Sequence, residues 1–139
     1  MNNRIIKFRI WDKLAKKFIT PESLFQGHYA LSLNGRFCNF QDGSGGDEYE
    51  VMEFTGLIDK AKIPIYEGDI VKFTCREYEH QFLNYTGEVW YDNDSCCWMF
   101  QKCKGDDGLD YGFSIPGDSI IVDSIEIIGN ICENKALLK

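Results

Sequence analysis

The stretch PIYEGDIVKF at residues 64–73 sets the fold prediction, because it joins a tight turn to an apolar strand. The run IVKF is typical of a strand, whereas Gly68 can adopt backbone angles that residues with a side chain rarely reach. Asp69 can hydrogen-bond the nearby main chain as the chain enters the strand. We therefore interpret Tyr66, Gly68 and Asp69 as a structural turn motif.

The same stretch admits a chemical alternative. Glu67 and Asp69 stand two residues apart, and positions i and i+2 share a face on a strand, so the pair could serve a metal or acid–base chemistry. Asp92 and Asp94 open a segment, DNDS, that resembles a calcium loop, but Cys97 replaces the glycine required at its sixth position. A metal-dependent hydrolase using Glu67, Asp69, Asp92 or Asp94 is a less favoured alternative, and we expect a hairpin turn at residues 92–95.

Catalytic and cofactor motifs are missing from the sequence. His28 and His80 are too few for a histidine-rich metal site, and no nucleophile and base stand at a recognisable spacing. The sequence therefore predicts no catalytic residue, no metal, no cofactor and no enzyme activity.

Short strands follow one another along the chain. In IIKFRIW, Ile6, Phe8 and Ile10 alternate with basic residues, which predicts a strand whose apolar side is buried. Asn34-Gly35 predicts a hairpin with a type I′ turn, and Thr55-Gly56 is interpreted as a strand end. The later strands predict a mainly β fold of short antiparallel strands in a small barrel or sandwich, and ENKALLK predicts a short C-terminal helix.

These elements suggest a division of the chain. We expect residues 1–56 to form an N-terminal region of hairpin and sheet, and residues 57–139 to form a small barrel-like region with the C-terminal helix. One continuous domain is the alternative, since 139 residues suit a single domain.

Composition and charge limit the cellular compartments in which the protein is expected. The chain carries a net charge of −7, yet residues 1–20 hold six basic groups against Asp12. The six cysteines include no C-x-x-C pair, no run approaches a membrane helix, and the N-terminus has no long apolar segment typical of a signal peptide. We expect a cytoplasmic protein with free thiols and no membrane contact.

The candidate interaction surface consists of basic and aromatic residues near turns and strand ends. Its members are Lys7, Arg9, Trp11, Trp90 and Trp98. This surface favours a protein partner or self-association. Nucleic-acid binding by the basic strand Arg4 to Lys17 remains an alternative, and the acidic segment from Asp106 to Glu126 raises the further alternative of a DNA mimic.

Four stretches in order resemble the YopX family of phage and prophage proteins. They are KFRIWDK at residues 7–13, MEFTGLIDKAKIPIYEGDIVKF at 52–73, GEVWYD at 87–92 and IEIIGNICENKALL at 125–138. The departures from the family lie in residues 20–48 and 75–110. The resemblance implies a small phage-encoded accessory protein, mainly β, with an SH3-like barrel from about Tyr66 onward, and it implies no catalytic residues.

Overall fold

The computed structural model describes residues 3–76, 81–104, 110–115 and 120–139, and strands dominate these residues. The predicted mainly β fold is confirmed. The chain forms two compact units, one of Ile6–Glu53 and one of Met1–Ile5 with Phe54–Lys139. The division after residue 56 and the alternative of a single continuous domain stay predictions.

In the unit Ile6–Glu53, strand β1 (Phe8–Asp12) pairs antiparallel with β2 (Lys17–Phe18) and with the first part of β5 (Tyr49–Ile58). Ile10 and Trp11 are both buried, whereas Ile6 and Phe8 are 62% and 43% exposed. The predicted burial of Ile6, Phe8 and Ile10 on one side is therefore wrong for the first two. The alternation identified the strand, but burial depends on what covers it.

The same unit contains a helix that the sequence analysis missed. Helix α1 (Pro21–Gly27) begins after Thr20, whose hydroxyl oxygen accepts the Ser23 N–H at 3.3 Å. Threonine at the N-cap followed by proline at the first helical position is a helix-start signal that was available in the sequence. None of the helix residues is buried, so little apolar packing supports this element.

The predicted hairpin at Asn34-Gly35 forms from β3 (Tyr29–Leu31) and β4 (Phe37–Asn39). Its turn is longer than predicted, because the Ser32 N–H bonds the Arg36 carbonyl at 2.9 Å and the Gly35 N–H bonds the Ser32 carbonyl at 2.9 Å. Gly35 has a φ of 81°, whereas Asn34 has no positive φ. The type I′ prediction is wrong, and the geometry is that of a three-residue hairpin loop with glycine last.

The second unit is built on a five-stranded antiparallel sheet in the order β10-β9-β8-β7-β11, which curls into a half-barrel. The strands are β7 (Asp69–Arg76), β8 (Phe82–Asp92), β9 (Cys97–Lys104), β10 (Asp110–Ile115) and β11 (Ile120–Asn130). The predicted C-terminal helix is a single 3-10 turn, Lys135–Leu138.

Strand β5 extends further than the sequence suggested. It runs through Gly56 to Ile58 and pairs with β6 (Pro64–Tyr66), with a register irregularity between Phe54 and Ile58. The prediction that Thr55-Gly56 ends the strand is wrong, because a bulge absorbs the glycine without breaking the pairing.

The inner face of the curled sheet forms the core of this unit. Phe73 is 2% exposed and its ring centroid lies 4.4 Å from that of Phe100 and 5.8 Å from that of Tyr85. Val71 and Ile125 are fully buried in the same cluster. The five strands therefore hold their apolar side chains inside the curl and turn their alternate residues to the other face.

Candidate interaction surfaces

The turn at residues 66–69 is a structural junction. The Asp69 carboxylate accepts the Tyr66 N–H at 2.8 Å and is 1% exposed. Gly68 has a φ of 77°, its N–H donates to the Val89 carbonyl at 2.8 Å, and its carbonyl accepts the Ile131 N–H at 2.8 Å. The turn thus connects β6, β8 and the segment after β11.

The carboxylates considered for metal chemistry are divided between two turns, Glu67 and Asp69 at one and Asp92 and Asp94 at the other. Asp69 stands at the start of β7, and Asp92 ends β8, where its Oδ2 accepts the Ser95 N–H at 3.1 Å. The predicted hairpin turn at residues 92–95 therefore connects β8 to β9. Within the described ranges, which omit His80, no group of three or more histidine, cysteine, aspartate or glutamate side chains could hold a metal ion.

Three predicted surface residues lie in the N-terminal strand region. Lys7 is exposed just before β1. The Arg9 Nε donates to the Met52 sulfur at 3.3 Å, and its guanidinium lies 4.9 Å from the centre of the Phe18 ring. Trp11 is only 7% exposed and packs edge-to-face on Phe18, so its predicted role as a surface ring is corrected.

The two remaining predicted residues point to opposite faces of the five-stranded sheet. Trp98 is half-buried, packs against the core cluster and contacts Tyr91, with ring centroids 5.1 Å apart. Trp90 pairs in register with Met99 on the alternate face, and its indole nitrogen is buried without a hydrogen-bond partner among the described residues. The structure therefore does not bring the two tryptophans into one patch.

Three exposed apolar side chains, which the sequence analysis did not single out, lie on residues 21–40. Phe25 of α1 is 90% exposed, Leu33 at the hairpin tip is fully exposed and Phe40 is 64% exposed. Phe40 is held in place by its N–H, which donates to the His28 carbonyl at 3.0 Å, and by the His28 ring at 5.8 Å. We call Phe25, Leu33 and Phe40 the N-terminal apolar surface.

A second surface lies on the outer face of the five-stranded sheet. It is a cleft of about 520 Å³ that includes three lysines drawn from separate parts of the chain, Lys60, Lys72 and Lys104. Its other lining residues are Phe73, Thr74, Asn84, Tyr85, Thr86, Ser124 and Glu126. We call this surface the lysine cleft, and none of its residues was predicted as a site residue.

A buried carboxylate beside this cleft was also missed. Asp59 is 4% exposed, and its Oδ1 accepts the N–H groups of Ala61 at 2.8 Å and Ile63 at 2.9 Å. Burial opposes ionisation, but hydrogen bonds from the main chain of Ile63, Ile127 and Ala61 hold the pKa of Asp59 below its usual value. Asp59 stands within the motif FTGLIDK, but it also accepts a hydrogen bond from the Ile127 N–H, 68 residues away, which no local pattern predicts.

Taken together, these features define a mainly β protein with a half-barrel sheet, an exposed apolar surface on one unit and a polar, lysine-lined cleft on the other. No helix of the described residues is both long and apolar enough to span a membrane. The profile described as "YopX protein" matches residues 7–139. The chain therefore belongs to the YopX family, as its motifs predicted.

The fold is shared with a solved protein. The crystal structure of protein EF1440 from Enterococcus faecalis superposes with a TM-score of 0.53 at 23% identity, covering 99% of this chain and 100% of that one. At this identity the likeness shows the fold alone. No curated protein matches the chain.

Proposed function

We propose that this chain is a non-enzymatic bacteriophage or prophage accessory protein that acts in the host cytoplasm by binding a protein partner or a second copy of itself. The observation that carries the proposal is the N-terminal apolar surface, with Phe25 90% exposed and Leu33 fully exposed. Burying such a side chain is worth about 1.5–3 kcal/mol, so a partner gains by covering it. Apolar side chains that a folded unit leaves this exposed are available for contact with a protein partner.

Helix α1 supports the same proposal. It has seven residues, none of them buried, and isolated helices shorter than about 12–15 residues are marginal in water. A partner that packs on Phe25 would add the tertiary contacts that the helix lacks. The hairpin beside it is anchored by Tyr29, Phe37 and Tyr49, with ring centroids 5.0–5.7 Å apart. These packed rings thus hold in place the hairpin that carries Leu33.

The nucleic-acid alternative through the basic N-terminal strand is less well supported by the contacts. Trp11 is buried, the Arg9 guanidinium is engaged with Phe18 and Met52, and Lys13 lies 4.0 Å from the Glu50 carboxylate. A strand that binds single-stranded nucleic acid needs exposed rings beside its cations. Of the two rings between Arg4 and Lys17, Trp11 is buried and Phe8 is 43% exposed, so a single ring stays accessible.

The test compares a surface variant with a matched control. Tagged wild-type protein, Phe25→Ser/Phe40→Ser and Phe82→Ser are recovered from prophage-carrying cells, with and without nuclease, and associated proteins are quantified by mass spectrometry. Phe82 is the control because it is a 53% exposed phenylalanine of the other unit. Light scattering on a sizing column measures self-association in parallel.

We expect wild type and Phe82→Ser to retain a stoichiometric, nuclease-resistant protein or a concentration-dependent dimer, and Phe25→Ser/Phe40→Ser to lose it. A partner that the double variant retains would contradict the assigned surface. A monomer that brings down no nuclease-resistant protein would contradict the function itself.

A further inference from the structure

We infer that a second copy of the chain completes the N-terminal apolar surface by pairing its strand β3 with β3 of the first copy. The pairing takes place at the open edge of the β3–β4 sheet and follows a twofold axis, with Ala30 of one copy opposite Ala30 of the other. This inference rests on the proposed function, because it names the partner of that same surface.

The hydrogen bonds of the hairpin show which way the main chain of β3 faces. The Ser32 N–H donates to the Arg36 carbonyl at 2.9 Å, and at the other end the Phe40 N–H donates to the His28 carbonyl at 3.0 Å. Opposed residues in an antiparallel ladder alternate between hydrogen-bonded and non-hydrogen-bonded pairs. Every second residue from His28 to Ser32 therefore directs its N–H and carbonyl groups towards β4, and the residues between them direct theirs outward.

The outward groups belong to Tyr29 and Leu31, and this edge of the sheet is open. Their N–H and carbonyl groups make no hydrogen bond with any residue that the structure describes. The opposite edge differs, because the Phe37 carbonyl and the Asn39 N–H hydrogen-bond main-chain groups of residues 44–46, each at 2.8 Å. The chain itself thus closes the β4 side, while the β3 side leaves two N–H and two carbonyl groups for a further strand.

The sequence of this edge carries none of the residues that keep edge strands from pairing. Residues 27–33, GHYALSL, contain no charged residue and no proline, although the chain has 15 basic and 22 acidic residues. Natural proteins protect open edges with charges, prolines or bulges, and a two-stranded sheet gains stability from further strands. An uncharged open edge on a two-stranded sheet therefore indicates a strand that pairs with another molecule.

The arrangement of the edge favours a second copy over an unrelated strand. With Ala30 opposite Ala30, Tyr29 stands opposite Leu31 in both halves, and each of these pairs exchanges a hydrogen bond in each direction. One twofold operation thus satisfies all the outward groups of both copies. Ala30 is exposed and small, which suits the close pair on the axis, where the Cα atoms are about 4.5 Å apart.

The side chains on the two faces also match. Tyr29 and Leu31 are half-buried on one face, where the Tyr29 ring stacks on Phe37 with centroids 5.2 Å apart. The added strand places its leucine beside this tyrosine, which is a favourable cross-strand pair. On the other face His28 stands opposite Ser32, so no two charged carboxylates or ammonium groups meet across the dimer.

The same register accounts for the exposure of the N-terminal apolar surface in a single copy. Leu33 follows β3 by two residues, and Gly27, the last residue of α1, precedes β3 by two residues. Antiparallel pairing brings these two ends together, so Leu33 of one copy approaches the helix of the other. That helix carries Phe25, which is 90% exposed in one copy. The two copies thus cover apolar side chains that each alone leaves in water.

Two measurements on the whole chain test the pairing. Sedimentation velocity over a range of concentrations gives the dissociation constant of the dimer. Hydrogen exchange followed by NMR compares single amides at low and high concentration. The Tyr29 and Leu31 amides should exchange fast in the monomer and become protected as the dimer fills, whereas the Ala30 amide, which faces β4, should be protected at both concentrations.

Charge substitution on the twofold axis gives the first pair of variants. Ala30→Lys and Ala30→Glu each put like charges opposite one another, and each should raise the dimer dissociation constant at least tenfold. An equimolar mixture of the two variants should dimerise again, because opposite charges then meet on the axis. Val122→Lys, at a 39% exposed strand residue of the other unit, is the control and should keep wild-type dimerisation.

Leu31→Pro tests the main chain itself. It removes an N–H that faces outward and keeps the bonds between β3 and β4, a position in which edge strands tolerate proline. Leu31→Ala is the matched control, because it also loses the leucine side chain but keeps the N–H. We expect Leu31→Pro to dimerise at least tenfold more weakly than Leu31→Ala, since each copy loses a donor. Thermal unfolding at low concentration verifies that both variants are folded.

A wild-type monomer, or a dimer that Ala30→Lys and Leu31→Pro leave unchanged, would overturn the inference. A mixture of Ala30→Lys and Ala30→Glu that stays monomeric would also overturn it, because Ala30 would then not lie on the axis. The proposed function survives these outcomes if Phe25→Ser/Phe40→Ser still loses a nuclease-resistant partner or a dimer of another geometry. It fails separately, when the wild type is a monomer that brings down no such protein.

Discussion

The Glu88 carboxylate accepts a hydrogen bond from the Lys102 ammonium at 2.8 Å, although the Glu88 side chain is 10% exposed and that of Lys102 is 56% exposed. The largely buried Glu88 carboxylate on β8 is thus paired with the solvent-exposed Lys102 ammonium on β9. Removing one partner of such a pair costs more than the pair contributes, because the buried charge is left without compensation.

Lys102→Gln should lower the free energy of unfolding by about 1–2 kcal/mol, a value reduced from that of fully buried pairs because Lys102 is half exposed. Glu88→Gln/Lys102→Gln should lose less than the sum of the two single variants in urea unfolding. The matched control is Lys60→Gln, whose ion pair with Glu126 has side chains 49% and 43% exposed and should cost under about 0.5 kcal/mol. Strict additivity would contradict the coupling.

Asp59→Asn tests the buried carboxylate of the β5–β6 turn. The folded-state pKa of Asp59 is lowered, so its charge stabilises the fold above the unfolded pKa of about 3.9 and this stability is lost as the pH falls through the folded value. The substitution should cost about 1–3 kcal/mol at neutral pH and flatten the acid limb of the stability profile. Asp123→Asn, on an exposed position of β11, is the control and should change stability by under about 0.5 kcal/mol.

Gly68→Ala should lower the free energy of unfolding by about 1–2 kcal/mol, because the φ of 77° is a left-handed conformation that disfavours a Cβ. Gly112→Ala is the matched control, since a Cβ there meets Met99 no closer than 3.7 Å. Thermal and urea unfolding compare the two variants, and we expect the control to change stability by under about 0.5 kcal/mol. Equal effects would mean that backbone conformation is not the cause.

Tyr29→Phe should lower the pKa of Tyr49. The Tyr49 hydroxyl donates to the Tyr29 hydroxyl at 3.2 Å, and this hydrogen bond, followed by burial, raises the pKa of Tyr49 well above its ordinary value. Because the folded pKa is raised, the stabilisation is complete below the unfolded pKa of about 10 and is lost as the pH rises beyond it.

An alkaline ultraviolet titration of wild type and Tyr29→Phe measures this shift as the difference between two tyrosinate curves. Urea unfolding should show that the variant loses less stability than wild type between neutral and strongly alkaline pH. Tyr91→Phe serves as the control for removing a phenol elsewhere. A Tyr49 titration that is unchanged in Tyr29→Phe would contradict the role of the hydrogen bond.

Local patterns predicted the hairpin and most strands, although helix α1 was missed despite its short-range start signal. Asn34-Gly35 predicted a hairpin because few residues tolerate a positive φ, yet its turn type was wrong because the flanking register, set by Ser32 and Arg36, decides the loop length. The strand at IIKFRIW was predicted from alternation, but its buried face was not, because alternation cannot say which side another element covers.

By itself the sequence determined the family, the mainly β class and the positions of the turns at residues 34–35, 66–69 and 92–95, since motifs and backbone preferences are properties of neighbouring residues. Only the tertiary structure decided the surfaces. Lys72 and Lys104 are far apart in an acidic chain and line one cleft because antiparallel register aligns β7, β8 and β9. Trp11 looked like a surface ring and is buried, because Phe18 and the strand pairing around it exclude water.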